Sequence, residues 1–155
     1  MKQVRLTAAI VCLLISLRAS SRAQDHGFGA GIIIGEPTGI TVKGWLNPTN
    51  AIDGGLAWSF SRGTSLHLHA DYLWHSFHVF ETNEKLPLYY GIGMRIKTAD
   101  HGDDSRLGVR MVVGVDYMFR DAPVDLFLEV APILDLTPAT ELQMNAGLGA
   151  RFWFQ

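Results

Sequence analysis

This sequence of 155 residues has little cysteine, little net charge and few long apolar runs. Cys12 is the only cysteine, so the chain forms no internal disulfide bond. The 13 Lys and Arg residues nearly balance the 15 Asp and Glu residues, and the basic cluster typical of nucleic-acid binding is absent. No apolar run after residue 23 reaches the length of a membrane-spanning helix. With 48% apolar residues, the composition fits either a soluble β-protein or a membrane β-barrel.

The N-terminal segment has the pattern of a secretory signal peptide. Lys2 and Arg5 precede an apolar stretch at residues 6–17, and small residues flank the expected cleavage position. The stretch is too short to cross a hydrocarbon core of about 30 Å as a helix. We therefore predict a signal peptide at residues 1–23 and one barrel domain at residues 24–155, which contains no cysteine.

The remainder of the chain alternates apolar and polar side chains with a period of two. Successive side chains of a β-strand point to opposite faces, so each alternating segment has one apolar face and one polar face. Turn residues separate eight such segments, whose lengths match strands tilted across a bilayer. The pattern predicts an all-β fold, an eight-stranded antiparallel up-and-down transmembrane β-barrel. The predicted strands are residues 27–35, 39–47, 51–61, 64–77, 87–97, 106–119, 123–136 and 140–154.

Charged residues occupy only one of the two faces in these segments. In a membrane barrel the charge-free face contacts lipid and the ionic face lines the interior. Eight strands enclose just enough space for side chains to fill, so we expect paired charges, glycines beside long arginines and no open pore. We predict a structural ionic network in the lumen that includes Lys43, Asp71, Arg95, Lys97, Arg110, Asp116, Asp125, Glu129, Glu141 and Arg151.

Aromatic residues cluster near one end of the predicted barrel. With both termini in the periplasm, twelve aromatic side chains fall near the periplasmic end, including Trp45, Tyr89, Phe127 and Trp153. Aromatic side chains favour the membrane–water interface, so this common level supports the alignment of the strands.

Pro132 interrupts the seventh predicted strand on its apolar face. Proline lacks a backbone N–H, and a closed barrel offers no free edge where that donor is dispensable. We predict a β-bulge at this point. Such a bulge would reverse the parity beyond it, which leaves the facing of Asp135 open.

The second half of the sequence resembles a family of small bacterial outer-membrane barrels of unassigned function. The resemblance is found in residues 86–97, 106–110 and 125–136, of which the last block is the most specific. In architecture that family is similar to the eight-stranded OmpA transmembrane domain and to OmpX. The resemblance implies an outer-membrane barrel of a Gram-negative-type bacterium and no reaction. Such chains usually end on an aromatic residue, whereas Gln155 follows Phe154 here.

Three groups of residues could in principle bind a metal or catalyse a reaction, but a simpler explanation is favoured for each. His67, His69 and Asp71 alternate on one strand face and suit a divalent metal, but polar filling of the interior is the favoured explanation. Ser65 and His67 share that face, which allows a serine–histidine–acid arrangement that would point away from lipid. Acidic residues with a histidine make one connection suitable for Ca²⁺, without EF-hand spacing. These are Asp100, His101, Asp103 and Asp104. We therefore predict no catalytic, cofactor-binding or metal-binding site.

The favoured function is a non-enzymatic outer-membrane barrel with a structural or surface-interaction role. Its expected partners are outer-membrane lipid, the barrel-assembly machinery during biogenesis and an unknown surface ligand. One alternative is a lipid-modifying enzyme embedded in the membrane. Another is a soluble lipocalin-like periplasmic binder, which is also an eight-stranded barrel. This binder would bury the apolar face and expose the ionic face, so the facing of the strands distinguishes the two.

Overall fold

The computed structural model describes residues 26–59, 65–99 and 105–154, which form eight β-strands. The predicted signal peptide lies outside the described residues. In the described part of the chain, no helix is long and apolar enough to cross a membrane. The strand boundaries differ from the predicted ones by two residues at most. The strands are β1 Phe28–Glu36, β2 Thr38–Asn47, β3 Asn50–Ser59, β4 Ser65–Ser76, β5 Leu88–Ala99, β6 Arg106–Met118, β7 Val124–Thr137 and β8 Glu141–Phe154.

The eight strands form a closed barrel in sequence order. Each strand pairs antiparallel with the next, and β1 pairs with β8 from Phe28 opposite Phe154 to Glu36 opposite Ala146. Closure leaves no strand with a row of unpaired backbone groups. The predicted all-β, eight-stranded antiparallel barrel is therefore confirmed.

The two faces of each strand differ sharply in exposure. Arg95 is 1% exposed, whereas its neighbours Met94 and Ile96 are 57% and 45% exposed. Glu129 is 4% exposed beside Leu128 at 58%. Within the described strands, Glu36 at the last position of β1 is the only charged residue on the outward parity. The barrel thus presents an apolar outer surface and encloses its ionic face.

Pro132 does not cause the bulge that the sequence suggested. Arg110 faces Ile133 and Val113 faces Val130 on either side of the proline, so no residue is inserted between these pairs. Ile133 is fully buried, which shows that the alternation continues beyond the proline. The prediction of a bulge at Pro132 was wrong, because the strand tolerates the missing donor without changing its register.

A register shift occurs farther along the same pair of strands. Gly108 faces Asp135, whereas the preceding residue, Leu107, faces Thr137. The extra residue of β7 therefore follows Asp135, whose side chain is fully buried. Asp135 thus belongs to the interior, which the sequence had left open.

One end of the barrel carries a long connection between two strands. We call the end where β1 begins and β8 finishes the terminal end, and the other the distal end. At the terminal end, residues 77–87 form a long connection that lies against β6. Met118 N–H donates to the Lys85 carbonyl at 2.9 Å, and Asp116 N–H donates to the Pro87 carbonyl at 3.0 Å. This connection extends the barrel wall beyond β5.

Candidate functional site: the charged barrel interior

One group of charges lies near the terminal end and is here called the terminal cluster. It consists of Lys43, Asp116, Asp125 and Arg151, from four different strands. Arg151 donates to Asp116 at 2.8 Å and to Asp125 at 3.2 Å. Lys43 Nζ lies 2.5 Å from the second Asp116 oxygen. Asp116 on β6 therefore accepts hydrogen bonds from two cations, Lys43 on β2 and Arg151 on β8, the two strands that flank β1.

Aromatic rings enclose the terminal cluster. Lys43 Nζ lies 5.1 Å from the centre of the Trp45 ring and 5.0 Å from that of Tyr89. The Arg151 guanidinium carbon lies 3.9 Å from the centre of the Phe127 ring. A cation over a ring face is stabilised by the ring quadrupole, more strongly where water is excluded. These rings shield the two cations from solvent at the terminal end.

The inward rings correct part of the aromatic interpretation. Tyr89, Phe127 and Trp153 were expected at a membrane interface, yet they are between 0% and 2% exposed inside the barrel. Trp153 Nε1 also donates to Asp125 at 3.0 Å. Each of these residues lies on the polar parity of its strand. That parity predicts that the side chain points into the barrel.

A second group lies at mid-height and consists of Asp71, Arg110, Glu129 and Tyr89. Arg110 donates one nitrogen to Asp71 and the other to Glu129, the latter at 2.5 Å. The Tyr89 hydroxyl donates to the other Glu129 oxygen at 3.0 Å. Charge-assisted bonds of this kind offset part of the cost of removing charges from water.

A third group, the distal cluster, is more open to solvent. Arg95 pairs with Asp135 and donates to Gln143 at 3.2 Å, and both charged partners are buried. Arg106 Nη1 lies 2.5 Å from Glu141, where the two side chains are 36% and 44% exposed. Only the inner pair of this cluster is therefore shielded from water.

Eight of the ten residues predicted to line the interior are buried, each 4% exposed or less. Lys97 and Glu141 are the other two and are half-buried near the distal end. Asp53 and Asp135 join the buried set, although the predicted network did not include them. Both lie on the polar parity, and their partners are on other strands. Ion pairing in the interior is thus observed, while its structural role stays a prediction.

The residues considered for chemistry are only partly brought together. One ligand atom each from Asp53, His69 and Asp71 lies within 4.8 Å of the others. His67, considered beside His69, does not join this group. The Ser65 side chain and the acidic connection at residues 100–104 lie outside the described residues.

Comparisons with known proteins show the fold of this chain. No protein-family model matches the sequence, and no curated protein matches it. Among solved structures, it is similar to the N-terminal β-barrel domain of Pseudomonas aeruginosa OprF, with a TM-score of 0.62 and 15% sequence identity. The match covers 82% of this chain and 95% of that domain. The chain therefore has the small eight-stranded barrel architecture that the resemblance implied.

Proposed function

We propose that this chain is an outer-membrane β-barrel whose interior is filled by paired charges. Its role is structural or concerns interactions at the cell surface, and it performs no catalysis. Export by a signal peptide at residues 1–23, insertion by the barrel-assembly machinery and contact with outer-membrane lipid belong to this proposal. An unknown surface ligand also belongs to this proposal.

The exposed apolar outer surface is the observation that carries the proposal. Large apolar side chains are 38% to 70% exposed around the whole barrel, Leu142 being the most exposed. Each square ångström of apolar surface in water costs about 25 cal/mol, and soluble monomers rarely expose a continuous patch of this kind. Hydrocarbon removes that cost. A lipocalin-like binder requires the opposite facing, with apolar side chains inside.

The filled interior supports a barrel without an open channel. The cationic residues Lys43, Arg95 and Arg151 are at most 1% exposed. Each has an acidic partner on another strand. Gly149 faces Phe127 so closely that an added Cβ would lie 2.2 Å from the ring. The interior volume near the terminal end is therefore occupied by side chains.

A lipid-modifying activity is the competing function. His67 and Asp71 point into the barrel and away from the surface on which a lipid substrate would lie. Mass spectrometry of lipid A from cells with and without this protein tests the alternative. We expect identical acylation in both, and a change in acyl chain number would contradict our proposal.

Cell fractionation and a pair of matched variants test the membrane location. Leu128 lies on the outward face midway along β7, whereas Leu142 lies on the outward face at the distal rim of β8. In lipid vesicles, Leu128→Arg should lower the free energy of unfolding by about 2–4 kcal/mol, and Leu142→Arg by about 0–1 kcal/mol. Equilibrium urea titration of both refolded variants measures the difference.

The proposal fails if the protein fractionates as a soluble periplasmic protein. It fails equally if the two arginine variants have the same stability in vesicles, because a solvated surface treats both sites alike. Unboiled protein should migrate differently from boiled protein on detergent gels. That difference confirms that each variant has folded before its stability is compared.

A further inference from the structure

One histidine and two aspartates converge inside the barrel. Asp53 faces Asp71 directly across the β3–β4 pair, and His69 precedes Asp71 on the same face of β4. One ligand atom from each lies within 4.8 Å of the other two. Asp53 and Asp71 are 4% and 2% exposed, so these oxygen ligands are removed from bulk water.

Two glycines make room for these ligands. Gly55 faces His69 on β3, and an added Cβ there would lie 2.6 Å from the imidazole ring. Gly93 faces Asp71 on β5, and an added Cβ there would lie 2.1 Å from its Oδ1. Any larger residue at either position would displace the ligand beside it. The strands on both sides of β4 therefore form a cradle for the imidazole and the carboxylate.

The carboxylates in this cradle are incompletely bonded. Oδ1 of Asp53 and Oδ1 of Asp71 are buried and accept no hydrogen bond within the described residues. Buried polar atoms without a partner are costly, and native proteins usually satisfy them with a bound group or water. These two oxygens, on residues that face each other across β3 and β4, are therefore free to accept a bound group.

The buried charges also do not balance. Among the described residues, six acidic side chains are buried against four basic ones. The acidic side chains are Asp53, Asp71, Asp116, Asp125, Glu129 and Asp135, and the basic ones are Lys43, Arg95, Arg110 and Arg151. With the half-buried Lys97, Arg106 and Glu141 included, seven acidic side chains face six basic ones in the interior, so one negative charge is in excess.

We propose that Asp53, His69 and Asp71 bind one divalent cation of the zinc class inside the barrel. Imidazole and carboxylate ligands suit Zn²⁺, which commonly uses three protein ligands and one water. The cation is attracted by the two carboxylates and supplies a partner to their two unbonded oxygens. The site depends only on the facing of the strands, so it is independent of the proposed membrane location.

Arg110 is the nearest competitor for the Asp71 carboxylate. It donates to Asp71 Oδ2, which leaves Oδ1 available, and it also binds Glu129. A carboxylate that ligates a metal is commonly held in position by such a hydrogen bond. Arg151 lies farther from the site, with Nη1 3.9 Å from Asp53. The alternative without metal is that water satisfies the two carboxylate oxygens.

Zinc binding by the refolded full chain tests the proposal. The protein is refolded in detergent with Zn²⁺, passed over chelating resin and analysed for zinc by mass spectrometry. We expect about one zinc ion per folded barrel in the parent protein. His69→Gln and Asp53→Asn should each weaken zinc binding by about tenfold or more, measured by competition with a chromophoric chelator.

His67→Gln is the matched control, because His67 is buried on the same face of β4 but lies outside the ligand group. It should bind zinc as tightly as the parent protein. If neither ligand variant folds, the absorption spectrum of the parent protein with Co²⁺ decides, with ligand-field bands expected from nitrogen and oxygen ligands. A metal-free parent protein, or zinc retained by both ligand variants, would overturn the proposal. A loss of zinc affinity in His67→Gln equal to that of the ligand variants would overturn it as well.

Discussion

The two ends of the barrel interior carry the same kinds of ion pair in different surroundings. At the terminal end, Lys43 and Asp116 are fully buried beneath aromatic rings. At the distal end, Arg106 and Glu141 pair at the same 2.5 Å separation but remain 36% and 44% exposed. Equal geometry therefore does not imply equal energy. The cost of breaking a pair depends on whether water can solvate the partner that is left behind.

The largest expected effect is at the terminal end. Asp116→Asn keeps the shape of the side chain but removes the charge shared by Lys43 and Arg151. It leaves buried cations undercompensated, so the free energy of unfolding should fall by about 3–5 kcal/mol. Urea titration of the refolded barrel measures this loss. Asp121→Asn, in the exposed turn at the same end, is the control and should change little. A loss below about 1 kcal/mol for Asp116→Asn would mean that water reaches the cluster.

An intermediate effect is expected where a neutral donor supports a buried charge. Tyr89→Phe removes the hydroxyl that donates to Glu129 at 3.0 Å and leaves that carboxylate with one donor fewer. The free energy of unfolding should decrease by about 1–3 kcal/mol. Tyr90→Phe is the matched control, because Tyr90 is 49% exposed on the outer face. Equal stabilities of the two variants would show that the Glu129 contact contributes nothing.

The smallest effect is expected at the distal end. Glu141→Gln breaks the pair with Arg106, which water can solvate, so the loss should be about 0–1 kcal/mol. Salt screens exposed pairs, and the difference from the parent protein should vanish near 1 M salt. The same salt should leave the effect of Asp116→Asn largely unchanged. Identical salt responses at both ends would remove the distinction drawn between them.

The facing of the strands could be predicted because it is encoded locally. A period of two assigns each side chain to a face, and the restriction of charge to one parity identifies the ionic face. This is why eight of the ten predicted interior residues are buried. Burial of Tyr89 and Trp153 followed the same rule, although both were assigned to the membrane interface. For these two rings the strand parity predicts the facing correctly, and the interface preference of aromatic residues does not.

The partners of these residues could not be predicted, because they depend on closure of the barrel. Lys43 and Asp116 are 73 positions apart, on strands that are not neighbours. Asp53 meets Asp71 only because the β3–β4 register places them opposite each other. The absence of a bulge at Pro132 could not be predicted either, because it depends on how β7 pairs with β6. The pairs on either side of the proline keep the same register.

The seam between β1 and β8 has a consequence for biogenesis. These strands are the first and last along the chain, and nine residue pairs join them. Until β8 is available, both β1 and β7 carry a row of unsatisfied amide and carbonyl groups, which invite pairing with other chains. No shorter intermediate of this ring is free of unpaired strand edges, so the polypeptide is prone to aggregation until β8 has paired. Truncation within the last strand should therefore yield aggregates instead of a smaller barrel.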